Sequence, residues 1–215
     1  GTMAAVVLYF RSDLWRIARA WTLGLFKRTT TEEEHFDARM GWYLALGTVP
    51  IVIFGLLFKD QIEGGARNLY IVGTMLIVFG AIMAAADMFA KHVRQLDSIK
   101  PPDAVVIGIA QSLALIPGVS RSGATITFGL FRGFSRQDAA RFSFLLSIPA
   151  VVLSGLYEMK DVVGHSTGVS LPAVIAATIA AFIVGYWSIA FLLKWLGEHS
   201  LKVFVLYRFA LGALV

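Results

Sequence analysis

Gln111-Ser112-Leu113-Ala114-Leu115-Ile116-Pro117-Gly118-Val119-Ser120-Arg121-Ser122-Gly123-Ala124-Thr125-Ile126-Thr127 interrupts an otherwise apolar stretch, Asp103–Phe134. The apolar runs on either side, Ala104–Ile116 and Ala124–Phe134, are each shorter than the roughly 20 residues a bilayer-crossing helix needs. Pro117 and Gly118 break the first run, and a polar cluster separates it from the second. Two short runs meeting at a break predict a re-entrant helical hairpin, 103–134. Such broken backbone is tolerated at membrane depth only where protein or a water-filled cavity covers it. Ser120 or Ser122 can cap the second leg. That leaves backbone N–H groups free at a helix N-terminus, where the dipole favours an anion. Arg121 adds a planar fork suited to phosphate oxygens. Ser120, Ser122 and Thr125 add hydroxyls, Thr125 one turn into the helix on the Arg121 or Ser122 side. Gly118 breaks the chain, and Gly123 permits close backbone approach. The parts make an anion site inside a membrane, with phosphate the first candidate.

The composition demands a membrane. The chain has 215 residues, of which 57% are hydrophobic and 15% charged, with a formal charge of +5. Soluble domains carry about 25% charged residues, and a mean hydropathy of +0.72 points the same way. Disordered chains are polar and poor in aromatics, so disorder is excluded. The basic residues lie between apolar blocks and not along one face, so no nucleic-acid partner is expected despite a pI near 9.6. Without cysteine there is no disulfide, thiolate nucleophile or Cys-bound metal.

Working outward from the hairpin, Met40–Phe58, Leu69–Ala90, Phe142–Tyr157 and Leu171–Leu193 are of spanning length. Met3–Phe10 and Val203–Val215 are shorter, and Gly1-Thr2-Met3 has neither the charged start nor the cleavage site of a signal peptide. The ends therefore read as those of a fragment. If the hairpin enters and leaves on one side, the cations sort between the two sides. Arg11, Arg16, Arg19, Lys27, Arg28, Arg39, Lys91, Arg94, Lys100, Arg132, Arg136, Arg141, Lys194 and Lys202 fall together, against Lys59, Arg67 and Lys160. Fourteen against three makes the first side cytoplasmic by the positive-inside rule. Two cations remain at depth, Arg121 and Arg208. Such arginines cost at least ~2.5–3.5 kcal/mol and mark function by default. Arg208 could equally snorkel or form a structural pair.

Ala110–Ile126 as a whole closely resembles the second signature of the undecaprenyl-pyrophosphate phosphatase family, bacitracin-resistance type. Gly1–Leu14 is similar to the family's helix before its first long cytoplasmic loop. Phe142-Ser143-Phe144-Leu145-Leu146-Ser147-Ile148-Pro149 resembles the helix after the signature, and Tyr207-Arg208-Phe209 its C-terminal signature. The family's earlier signature, rich in glutamate and with a Pro-Val-Ser-Ser stretch and a histidine, has no match and would precede Gly1. The resemblance implies an all-α polytopic membrane protein: an inverted-repeat helix bundle with a re-entrant helical hairpin, its first hairpin missing. Residues 1–215 would form a single membrane domain, with 1–90 the remainder of repeat one and 103–215 repeat two.

The resemblance also implies an activity, hydrolysis of undecaprenyl pyrophosphate to undecaprenyl phosphate and phosphate. Arg121 would clamp the pyrophosphate, the Ser120 and Ser122 region would supply donors, and Thr125 would orient a phosphate oxygen. Gly118, Gly123, Gln111 and Arg208 would help bind substrate; as an amide, Gln111 is no general base. A divalent metal, Mg²⁺ or Ca²⁺, would use carboxylates of the unmatched signature. The partners expected are a polyprenyl pyrophosphate lipid and the membrane, with a homodimer left open. The expected location is the bacterial inner (plasma) membrane, as a multi-pass protein. A polyprenyl-phosphate transporter or flippase could use the same anion site, and an inactive fragment is the bland alternative.

Other polar residues read as ordinary. Asp87 caps or pairs at the cytoplasmic end of its helix. Glu158 and Asp161 read as a solvated rim before a metal site, and Glu32-Glu33-Glu34 as a loop turn. His35, His92, His165 and His199 lack metal spacing, and Trp15, Trp21, Trp42 and Trp195 read as interface anchors.

Overall fold

Each long apolar run becomes a helix, because a buried or lipid-facing backbone must satisfy its own hydrogen bonds. The computed structural model describes residues 1–26, 29, 31–59, 68–162 and 170–215, with backbone alone at 156–162 and 171. Arg28, Arg67, Lys27 and His165 lie outside the described residues, as do the side chains of Glu158, Lys160 and Asp161. The described helices are α1 (Thr2–Tyr9), α2 (Arg11–Leu25), α3 (Glu32–Leu57), α4 (Leu69–Phe89), α5 (Pro101–Ser112), α6 (Arg121–Phe131), α7 (Arg136–Val162), α8 (Leu171–Glu198) and α9 (Lys202–Leu214). Short 3₁₀ turns occupy Leu96–Ser98 and Leu113–Leu115, and no strand is present among the described residues. Among the described residues, four segments are long and apolar enough to cross a membrane: Glu32–Leu57, Leu69–Phe89, Arg136–Gly155 and Pro172–Glu198. The chain is an all-α polytopic membrane protein.

Several helices begin inside stretches read from sequence as loops. α2 fills much of 11–39, α3 starts at Glu32, and α7 starts at Arg136. The reason is local. Glu32, Glu33 and Glu34 occupy the first turn of α3 and oppose the positive end of its dipole. Ser135 accepts from the Asp138 amide at 3.1 Å and donates to Asp138 Oδ2 at 2.7 Å, which caps α7. Polar residues there mark helix starts as well as membrane edges.

The chain divides into two compact units. One comprises Gly1–Trp42 and Ser147–Lys194, the other Tyr43–Leu146 and Trp195–Val215. In the first, Tyr9 of α1 meets Tyr186 of α8 edge to face at 5.4 Å. Trp21 of α2 meets Trp42 of α3 at 5.5 Å, and Arg16 pairs with Asp37 at 3.4 Å. The apolar side chains Ile175, Ile179, Ile183, Trp187 and Phe191 stay exposed along α8. Their roughly four-residue spacing makes one continuous apolar face, as lipid contact requires.

The second unit holds the hairpin. α5 and α6 are its legs; α4 packs against α6, and α9 against α4. A Cβ added at Gly73 would lie 2.9 Å from the Gly212 carbonyl, and one at Gly212 would lie 2.8 Å from that of Gly73. Glycine at this crossing lets the two backbones approach closely, the usual device where lipid supplies no drive for helix association. Val119, Phe79 and Ala124 form a buried cluster beneath the hairpin tip, joined by Met75 and Leu113.

Two buried carboxylates tie helix ends of the second unit together. Asp87, at the end of α4, accepts from Arg136 Nε of α7 and, at 3.1 Å, from the Leu201 amide that opens α9. Asp103 is fully buried in the first turn of α5. It accepts from Arg94 Nη2 at 2.7 Å, Arg132 Nε at 2.6 Å and the Lys100 amide at 3.0 Å. Arg132 follows α6, so this pair ties the two legs together at their base. Arg94 also donates to the Arg132 and Ser98 carbonyls, each at 2.8 Å, and lies 4.3 Å over the Phe134 ring. Burial alone would push the Asp103 carboxyl up. Hydrogen bonds from Arg94, Arg132 and the Lys100 amide outweigh it and hold the carboxyl below the usual carboxylate range.

Candidate functional site

The break between the legs is a turn that its own sequence dictates. The Val119 amide donates to the Ile116 carbonyl at 3.2 Å across Pro117 and Gly118. Proline at the second position and a left-handed residue at the third give the type II pattern. Gly118 has φ +93°, and a Cβ there would sit 2.5 Å from the Val72 carbonyl oxygen. Both conformation and space therefore require glycine. Ser120 follows with φ +67° and ψ 119°, left-handed without being glycine. Such a residue carries on the order of 1–3 kcal/mol of strain, which persists only where its surroundings fix it.

The strain places the serine as a cap. Ser120, the N-cap of α6, accepts from the Gly123 amide at 3.3 Å through its Oγ. The Ala124 amide reaches the Ser120 carbonyl at 2.9 Å. The Arg121 and Ser122 amides have no acceptor among the described residues. Ser120 is exposed, while Arg121 and Ser122 are half-buried. The Arg121 guanidinium likewise has no hydrogen-bond or ion-pair partner among the described residues. An uncompensated cation, two free amides and two accessible serines thus gather at one positive helix end. That arrangement suits a multiply charged oxyanion. A Cβ at Gly123 would stand 3.2 Å from the Met83 methyl and 3.3 Å from the Ser120 side chain, so glycine leaves room for the cap.

The remaining candidates lie deeper. Thr125 is 1% exposed; its hydroxyl reaches the Arg121 carbonyl at 2.9 Å and the Ser122 carbonyl at 3.3 Å, and lies 2.5 Å from Ser143 Oγ. It faces the inside of the helix turn that carries Arg121. Gln111 is fully buried; its Nε2 donates to the Gly47 carbonyl at 3.4 Å, and its Oε1 has no partner among the described residues. Arg208, from α9, is 6% exposed; its Nη2 donates to the Gly118 carbonyl at 2.8 Å and the Met75 carbonyl at 3.4 Å. Burial and these partners exclude snorkelling. Ser143 was not singled out from the sequence. Only its place in the Phe142–Pro149 stretch marked it, because the pairing of α6 with α7 is a tertiary fact. The partners of Asp103, Arg94 and Arg132, were likewise read only as loop cations, and Asp103 only as the first residue of the hairpin, although Pro101-Pro102 just before it is a helix-start signal.

No three His, Asp or Glu side chains lie together as metal ligands among the described residues. Asp87 and Asp103 are both taken up by arginines. A divalent metal does not fit the described residues.

A family model described as bacitracin resistance protein BacA matches residues 1–214. An undecaprenyl-diphosphatase of Mycolicibacterium smegmatis is 50% identical, over 100% of this chain and 78% of that protein. Those of Nocardioides sp. (47%, covering 99% and 77%) and Nocardia farcinica (44%, covering 100% and 79%) are similar in the same way.

Proposed function

From the premise that the chain belongs to the bacitracin resistance protein BacA family, we infer that it is an undecaprenyl-diphosphatase, a membrane hydrolase. In the reaction inferred, water oxygen bonds to the terminal phosphorus and the bridging P–O bond breaks. Undecaprenyl phosphate and inorganic phosphate leave. The observation that carries the reading in the structure is Arg121, without a partner among the described residues, at the strained N-terminus of α6. Phosphoryl transfer needs charge neutralisation and alignment more than covalent assistance from the protein. Arg121 would grip oxygens of the pyrophosphate in bidentate fashion, and the Arg121 and Ser122 amides would hold the charge that builds on them. Ser120 and Ser122 would donate from the open side. Thr125 would act from beneath, fixing the turn that presents Arg121.

The hairpin is read as re-entrant and the protein as sitting in the bacterial plasma membrane, its Asp103 end towards the cytoplasm. The shared name of the relatives favours hydrolysis over transport of the same lipid. The test is phosphate release from undecaprenyl pyrophosphate by purified protein in detergent. Arg121→Ala should lower the rate by at least about tenfold, and by about 10²–10³ if it acts as an oxyanion donor does. Arg121→Lys should also be poor, since it lacks the planar fork. Near-wild-type release by Arg121→Ala would remove this residue from the mechanism. A wild-type protein that moves the lipid between leaflets without releasing phosphate would overturn the hydrolase reading.

A further inference from the structure

Arg208 is a buried cation without an acidic partner among the described residues. An arginine at membrane depth is retained only for a reason, and its hydrogen bonds indicate one. Its Nη2 donates to the carbonyl of Gly118, the left-handed residue of the tip turn, and to that of Met75 in α4. Its Nε is fully buried with no partner among the described residues, so that edge is closed to a phosphate arriving from water. The side chain therefore spans from α9 to the break in the hairpin and to α4 behind it. Gly118 lies two residues before Ser120, whose left-handed conformation persists only under outside constraint. The constraints visible there are the buried Val119, the Gly123 amide on Ser120 Oγ, and Arg208 on Gly118. Of the two hydrogen bonds, that from Arg208 alone comes from a distant part of the chain.

We propose that Arg208 is a positioning residue: by holding the Gly118 carbonyl it sets the tip conformation that presents Arg121 and the free amides of α6, and it does not itself bind substrate. The activity readout of this proposal rests on the phosphatase reading; the conformational readout does not. The chain has no cysteine, so one reporter thiol can be placed without background. Ile116 is 37% exposed beside the turn and outside the catalytic group. The full chain carrying Ile116→Cys would be compared with the same protein bearing Arg208→Met, Arg208→Gln or Arg208→Lys. Maleimide labelling rate, melting temperature and steady-state kinetics with undecaprenyl pyrophosphate would be read on each.

Arg208→Met should label about threefold or more faster, because a lost constraint raises local opening. Its kcat per folded molecule should fall by about tenfold or more, the order expected when a catalytic group is misplaced. Arg208→Gln keeps a neutral donor and should recover part of both losses. Unchanged labelling, with recovery by Lys and none by Gln, would make Arg208 a charge contact to substrate and overturn the proposal. A lower melting temperature with unchanged kcat and labelling would reduce it to a packing residue and overturn it equally. If Arg208→Met does not fold, the Gln and Lys variants still separate donor from charge. If the wild type releases no phosphate while labelling responds as expected, the phosphatase reading falls and the positioning role stands.

Discussion

Replacing Asp103 by asparagine probes whether the base of the hairpin is held by charge. The carboxylate is fully buried and takes bonds from Arg94, Arg132 and the Lys100 amide. Breaking a fully buried ion pair costs about 3–5 kcal/mol. The arginine side chains here are 26% and 39% exposed, so water relieves part of their loss. Asparagine also keeps one acceptor for the Lys100 amide. Discounting for both leaves about 2–4 kcal/mol. For a chain of this size that corresponds to about 4–16 °C in melting temperature. Thermal unfolding in detergent, followed by the fluorescence of the 5 tryptophans, reads it directly. The pH dependence is the sharper part. Asp103 is held below its ordinary value, so its contribution is complete above that value and is lost as pH falls through the folded one. The wild type should therefore exceed Asp103→Asn by the full margin at neutral pH. The margin should narrow from about pH 4 downward. A difference under about 2 °C at neutral pH, or a margin unchanged by acid, would refute the charge argument.

Two further outcomes follow from the tip and its support. Gly118→Ala combines a left-handed φ with a Cβ 2.5 Å from the Val72 carbonyl; it should cost about 2–4 kcal/mol in thermal unfolding and lower phosphate release. Ser143→Ala removes the hydroxyl 2.5 Å from Thr125 and should cost about 1–2 kcal/mol, with a clear fall in kcat if Thr125 fixes the Arg121 turn; unaltered kinetics would make the pair a core hydrogen bond only.

The local features of the site were legible in the sequence because they are written in neighbouring residues. Pro117-Gly118 specifies the turn, and Ser120 is one of the two serines named as candidate caps. The four spanning segments were legible from apolar length alone. What stayed hidden depends on residues far apart in the chain. The Arg208 bond to Gly118 joins positions 90 residues apart, and Ser143 meets Thr125 only because α7 lies beside α6. Helix starts were misread for a different reason. Glu32-Glu33-Glu34 was read as a loop turn and Arg136 as a loop cation, although acidic residues stabilise a first helical turn and Ser135 can cap one. One residue served both rules, and only the fold decides between them.

The length of α6 sets a depth. Eleven residues rise about 16 Å, roughly half of a 30 Å hydrocarbon core. A hairpin entering from one face with such a leg ends near the mid-plane, well below the level where lipid head groups normally ride. A pyrophosphate can meet it only if the bilayer dimples or water follows the head group inward. The elastic cost of that dimple grows with membrane thickness. If the hairpin enters from one face, its short leg makes membrane thickness a determinant of turnover, alongside the side chains of the site.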